Sequence, residues 1–108
     1  MTESEFLAAA EAVLDNIESR LERAADAANI DLECSRSGNV LEIEFIEHNS
    51  KIIVNTQAPM QEIWVAARSG GFHYRMTGDR WLDTRDGSEL FAALSSLVSA
   101  QARMPLIF

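Results

Sequence analysis

A chain of 108 residues, 47% hydrophobic and with a net charge of −8, reads as a single domain spanning 1–108 with a real but modest core, and its charge argues against nucleic acid as a partner because phosphates would be repelled. The one cysteine, Cys34, excludes an internal disulfide and fits a reducing compartment. No basic segment followed by an apolar run opens the chain, and no stretch approaches the roughly 18 apolar residues of a membrane span, so a cytoplasmic protein with no membrane role is expected.

Residues 3–27 read as a helix. Phe6, Ala10, Val13, Leu14, Ile17, Leu21 and Ala24 recur at helical spacing, and Thr2 or Ser4 could cap it. Its other side carries Glu11, Asp15, Glu18, Glu22 and Asp26 at spacings of 4, 3, 4 and 4. At about 100° per residue these five fall within a sector of roughly 80°. Like charges so placed repel by about 0.2–0.5 kcal/mol per pair, and Glu22 and Asp26 also oppose the helix dipole. Asp31 and Glu33 prolong the run, so residues 1–33 hold nine acids against Arg20 and Arg23, while the rest of the chain is near neutral. A solvated face is the plain reading. The sharper one is a surface for something positive: a metal ion, a basic partner protein, or both in turn.

Strands follow. Asp31–Ser35 is a short one, and Gly38-Asn39 a turn. Val40–Ile46 alternates, with Leu41, Ile43 and Phe45 opposite Glu42 and Glu44. His48-Asn49 turns into Lys51–Asn55. After Pro59 the pattern resumes in Glu62–Ala67. Gly70-Gly71 reads as the next turn, before Phe72, Tyr74 and Met76 alternate with His73 and Arg75. Gly78-Asp79 leads to a short strand, Arg80–Asp83. A second helix is expected over Ser88–Gln101, capped by Ser88, with Leu90, Phe91, Leu94, Leu97 and Val98 inward. The apolar tail Met104–Phe108 should pack on the domain. The fold class is α+β: a two-layer α–β sandwich, two terminal helices on one face of an antiparallel sheet of about six strands, with the other face free.

Several segments together carry a resemblance. Ser4-Glu5-Phe6 opens the acidic helix. Asn55-Thr56-Gln57-Ala58-Pro59 is followed by Gln61-Glu62-Ile63-Trp64, then by Ser69-Gly70-Gly71-Phe72-His73-Tyr74, Gly78-Asp79-Arg80-Trp81 and Arg85-Asp86-Gly87. With these the chain resembles the frataxin family, in its bacterial CyaY branch, over nearly its whole length. The resemblance implies an accessory protein of iron–sulfur cluster assembly that binds ferrous or ferric iron weakly and reversibly. It also implies contacts with a cysteine desulfurase and an iron–sulfur scaffold protein, and an effect on the rate of cluster formation. Carried over by position, the metal-binding acids are Glu18, Glu22, Asp26, Asp31 and Glu33, with Glu11 and Asp15 further up the helix. Partner contacts fall to Glu18, Glu22, Asn55, Gln57, Trp64 and His73, Trp64 standing at the family's exposed Trp position. A monomer is expected, with iron-dependent oligomers as the alternative.

The resemblance has departures. In Glu22-Arg23-Ala24-Ala25-Asp26-Ala27-Ala28-Asn29 alanines, Arg23 and Asn29 replace further acids, and Leu7 stands where some relatives have histidine. Oxygen donors suit iron, but carboxylates along one helix surface cannot enclose an ion, so weak and unselective binding is expected. There is no HExxH, CxxC or paired Glu-x-x-His. No nucleophile–base pair or phosphate loop points to an enzyme, a weak ferroxidase being the one catalytic alternative. A pure protein–protein regulator with incidental metal binding is the other. Trp81 reads as core and His48 as exposed. Cys34 reads as an inert thiol whose acidic neighbours raise its pKa. A cysteine or a histidine can ligate haem axially, but no motif here points to one.

Overall fold

The computed structural model describes all residues, 1–108. The first helix, α1 (Glu3–Ala28), starts where a capping box forms. The Glu5 N–H donates to Thr2 Oγ1 at 3.1 Å, and the Thr2 N–H donates to Glu5 Oε1 at 2.8 Å. It stops at Asn29, which adopts the left-handed conformation (φ 56°). The N–H of Ile30 then reaches Ala25 O at 2.9 Å and that of Asn29 reaches Asp26 O at 3.2 Å, the paired bonds of a Schellman ending.

Six strands follow: β1 (Leu32–Ser37), β2 (Val40–Phe45), β3 (Ser50–Gln57), β4 (Glu62–Ala67), β5 (Gly70–Thr77) and β6 (Arg80–Asp83). They pair in sequence order as one antiparallel meander. The period-2 pattern sets the register: Leu41, Ile43 and Phe45 of β2, Ile52 and Val54 of β3, Ile63 and Val65 of β4, Tyr74 and Trp81 all point to one face. On that face lie Phe6, Ala10, Leu14, Ile17 and Leu21 of α1 and Leu90, Leu94 and Val98 of the second helix, α2 (Leu90–Ala102). The expected two-layer α+β architecture is therefore the observed one, with both helices on one side.

Five local expectations are corrected. The turn before β5 is Arg68-Ser69, and Gly70 already pairs with Ala67 as the first residue of the strand; its φ of +146° is one that only glycine takes readily. Ile46 leaves β2 for a short 3-10 turn, Ile46–His48, that ends at left-handed Asn49, and His48 is half-buried rather than exposed. Ser88 is not the cap of α2. The chain is still extended at Glu89, which bridges to Leu82, and the Glu89 carboxylate accepts the N–H groups of Phe91 and Ala92. β3 runs two residues further than Asn55, which brings Gln57 into the sheet opposite Glu62. The tail packs as expected: Leu106 is buried, and Ser99 Oγ both accepts from its N–H and donates to its C=O.

Candidate functional site

The acidic stripe runs along the edge of α1 that overhangs β1. Along β1 the inward positions are Leu32, Cys34 and Arg36, and the outward ones Glu33, Ser35 and Ser37. Arg36 reaches up to the stripe. Its Nη1 lies 2.8 Å from Asp15 Oδ1 and 3.9 Å from Glu18 Oε1. Part of the stripe's repulsion is thus answered from the strand beneath it, and Glu18 is half-buried rather than free. Glu11, Glu22, Asp26 and Asp31 remain exposed with no ion-pair partner. The helix's own bases are turned elsewhere. Arg20 donates to Asn16 Oδ1 and lies 4.7 Å from the centre of the Phe91 ring, and Arg23 donates to Ser19 O.

Strand alternation separates Glu33 from the helical acids. It sits on the open face of the sheet, directly opposite Glu44, while Lys51 is taken by Glu42 at 2.6 Å. Glu33 and Glu44 form a like-charge pair across two strands, and Lys51, the partner of Glu44 on β3, offsets it only in part because its ion pair goes to Glu42. The seven predicted acids therefore wrap around an edge instead of converging, and nowhere do three His, Cys, Asp or Glu side chains come together to hold a metal. Hard oxygen donors are present for iron, but only as an open row that would leave a bound cation mostly hydrated.

Cys34 lies under this edge, half-buried against the core. Burial first, then the charges of Glu22 and Glu18, push its thiol up to about 12 from an ordinary 9.0. Alkylation at pH 8 is accordingly expected to be at least about a hundredfold slower in the native protein than in urea, as followed by mass spectrometry; equal rates would contradict the placement of the thiol. The sign of the linkage is also set. The contribution of the neutral thiol to stability is full below pH 9 and is lost as the pH rises towards 12.

The open face holds the second set. Asn55, Trp64 and His73 are register partners on β3, β4 and β5, and Gln57, Glu62 and Arg75 form the next row. Gln57 Nε2 donates to Asn55 Oδ1 at 2.6 Å. Trp64 does not project into solvent. Its ring lies flat on His73, centroids 4.3 Å apart and planes within 5°. Its indole N–H donates to Glu62 Oε1 at 2.8 Å, while Arg75 Nη2 holds Glu62 Oε2 at 2.8 Å and His73 Nδ1 lies 3.6 Å from Oε1. Glu62 is only 4% exposed. A buried carboxylate on the otherwise solvated side of a sheet, hydrogen-bonded by the Trp64 indole and the Arg75 guanidinium, holds the aromatic pair in a flat patch. Rigid aromatics with amide neighbours are the makings of a protein-binding surface.

A family model for a frataxin-like domain matches residues 1–104. The chain belongs to the frataxin family. Among its relatives, proteins named iron–sulfur cluster assembly protein CyaY are 66% identical in Janthinobacterium sp. (strain Marseille) and 62% identical in Herminiimonas arsenicoxydans, each over 99% of this chain and 96% of the relative. A frataxin of known structure from Psychromonas ingrahamii superposes with a TM-score of 0.81 at 29% identity, covering 99% of this chain and 97% of that one. The trimeric yeast frataxin, solved in a ferrous-complexed form, shares the fold at 24% identity with a TM-score of 0.75, covering 88% of this chain and 86% of that one.

In this frataxin domain, then, the residues singled out by sequence fall on two surfaces. Glu11, Asp15, Glu18, Glu22, Asp26 and Asp31 follow the α1–β1 edge, with Glu33 just around it. Asn55, Gln57, Trp64 and His73 lie together on the open face. Trp81 is core, as expected. Two residues that shape these surfaces were not foreseen. Arg36 shares inward parity with Cys34, so counting by twos along β1 would have placed it beside the helix. Glu62 shares parity with Trp64, but nothing in the sequence marks a solvent-side glutamate as buried.

Proposed function

We propose that the chain is a cytoplasmic accessory protein of iron–sulfur cluster assembly. It docks on a cysteine desulfurase through the α1–β1 acidic edge and modulates the rate at which clusters form. Iron is a weakly held, reversible cargo along that edge. The scaffold protein meets the open face around Asn55, Gln57, Trp64 and His73. The names of the relatives support the pathway. The observation that carries the docking reading is the row of unpaired carboxylates on Glu11, Glu22, Asp26 and Asp31, beside a helix whose own arginines point away. A concentrated field of one sign steers a basic partner and makes its association salt-sensitive.

One observation favours a second reading, that of a protein–protein regulator whose metal binding is incidental: no three carboxylates of the acidic edge come together to hold a metal ion. Changing Glu22, Asp26 and Glu33 to their amides separates the two, because shape is kept while charge is removed. Iron binding, followed by calorimetry, is expected to fall below detection. The effect on cluster formation in a reconstituted desulfurase–scaffold assay is expected to fall with it. Iron binding lost with the modulation intact would give the regulator reading the case.

A further inference from the structure

A third surface lies apart from both. β5 and β6 run up against the start of α2, and between them opens a cleft of about 360 Å3 whose lining includes Phe72, Tyr74, Asp83, Asp86, Ser88 and Leu97. Tyr74 is 1% exposed, yet its hydroxyl has no hydrogen-bond partner in the protein, and no unpartnered side-chain polar atom is fully enclosed. What remains accessible of Tyr74 is therefore the hydroxyl, at the cleft. Asp83 is also more than nine-tenths buried. Its Oδ1 accepts the N–H groups of Arg85 at 2.7 Å and Asp86 at 3.4 Å, and its Oδ2 accepts none. Asp86 uses Oδ1 for the Ser88 N–H at 2.9 Å, leaving Oδ2 free.

The electrostatics here are one-sided. Glu89 adds a third carboxylate, with both oxygens committed to capping α2. The one nearby cation, Arg85, donates to Gly71 O at 2.8 Å and lies 5.7 Å from the centre of the Phe72 ring. Burial, then the charges of Asp83 and Asp86, push the Tyr74 phenol up to about 12, with Arg85 offsetting part of the rise. The hydroxyl thus keeps its proton at neutral pH beside a net negative field.

We propose that this cleft binds an alkylammonium group, the nitrogen among the free oxygens of Asp83, Asp86 and Tyr74 and the carbon chain against Phe72 and Leu97. An ammonium has three donors and no acceptor, which matches three oxygens without partners. The apolar wall selects an organic cation over a bare metal ion, for which oxygen ligands on all sides would be needed. The volume lies at the small end of ligand sites, so the body is a few carbons long. Two sources carry this chemistry, a free small amine and the lysine side chain of a partner protein.

The test is an amide-resolved NMR titration of the full chain with n-butylammonium, n-butanol and N-acetyl-lysine methylamide. Butylammonium is expected to shift Tyr74, the Asp83–Ser88 loop and Leu97 saturably at the millimolar concentrations usual for a fragment, with butanol at least about tenfold weaker. Asp86→Asn keeps the oxygen that accepts from Ser88 and removes only the charge; Tyr74→Phe removes only the hydroxyl. Each is expected to weaken binding by at least about threefold, with the spectrum elsewhere unchanged. The lysine derivative binding as well as butylammonium would assign the site to a partner's lysine, and binding several-fold worse would assign it to a free amine. No saturable shift, equal shifts from butanol, or shifts that survive both substitutions would overturn the proposal.

Discussion

Reversing Glu18 and Glu22 to lysine is expected to weaken binding to a cysteine desulfurase by about tenfold or more at low salt, roughly 1.4 kcal/mol. The loss should shrink as added salt shortens the screening length below about 8 Å. The two positions are not equivalent. Glu22 is exposed with no ion partner, whereas Glu18 lies 3.9 Å from Arg36 and is half-buried. Glu22→Lys alone therefore reports docking with little cost to the fold. Glu18→Lys sets a second cation beside Arg36 and lowers stability by up to about 1 kcal/mol. Removing either negative charge also relieves Cys34, so faster alkylation of the thiol is an internal control that the edge was altered. Unchanged desulfurase binding at low salt in the double variant would remove the edge as a docking surface.

Trp81→Ala is expected to give the largest loss of stability, about 3–5 kcal/mol, against the 5–15 kcal/mol typical of a domain. Trp81 is 3% exposed on short β6, near the edge of the sheet, and packs edge-to-face on Phe6 with centroids 5.9 Å apart. That contact ties the first turn of α1 to the last strand. Truncation leaves a cavity that neither element can close without losing its own register. The urea midpoint should fall steeply, with Phe6 and Tyr74 reporting the damage in the aromatic NMR spectrum. A midpoint shift worth under about 1 kcal/mol would mean the ring is not part of the core.

Where the hydrophobic period was unambiguous, the fold was legible. Leu41-Glu42-Ile43-Glu44-Phe45 alternates without interruption and emerged as β2 with that parity, and the 3.6 period of α1 placed Phe6, Ala10, Leu14, Ile17 and Leu21 inward. Elsewhere local chemistry offered two solutions. Gly70-Gly71 suits a turn, but the pairing of Gly70 with Ala67 moved the bend to Arg68-Ser69. Ser88 is the better intrinsic cap, yet the bridge from Glu89 to Leu82 keeps the chain extended one residue longer and hands the capping to Glu89. The site was legible as residue types and not as partnerships. The stripe of acids could be counted, but Arg36 comes from a separate strand, 21 residues along from Asp15. Trp64 could be placed on the open face. That it lies flat, held by a buried Glu62, depends on side chains from β4 and β5 meeting across the sheet.

The most direct measurement is an NMR titration of the labelled protein with ferrous iron and, separately, with a cysteine desulfurase. Both ligands are expected to act on one contiguous set of amides, from Glu18 to Asp26 in α1 and from Asp31 to Ser35 through β1. Iron should broaden them at weak, non-saturating affinity, and the desulfurase should shift them in a salt-dependent way. Perturbations by the desulfurase confined to Asn55, Trp64 and His73 on the open face, with the α1–β1 edge silent, would contradict the account.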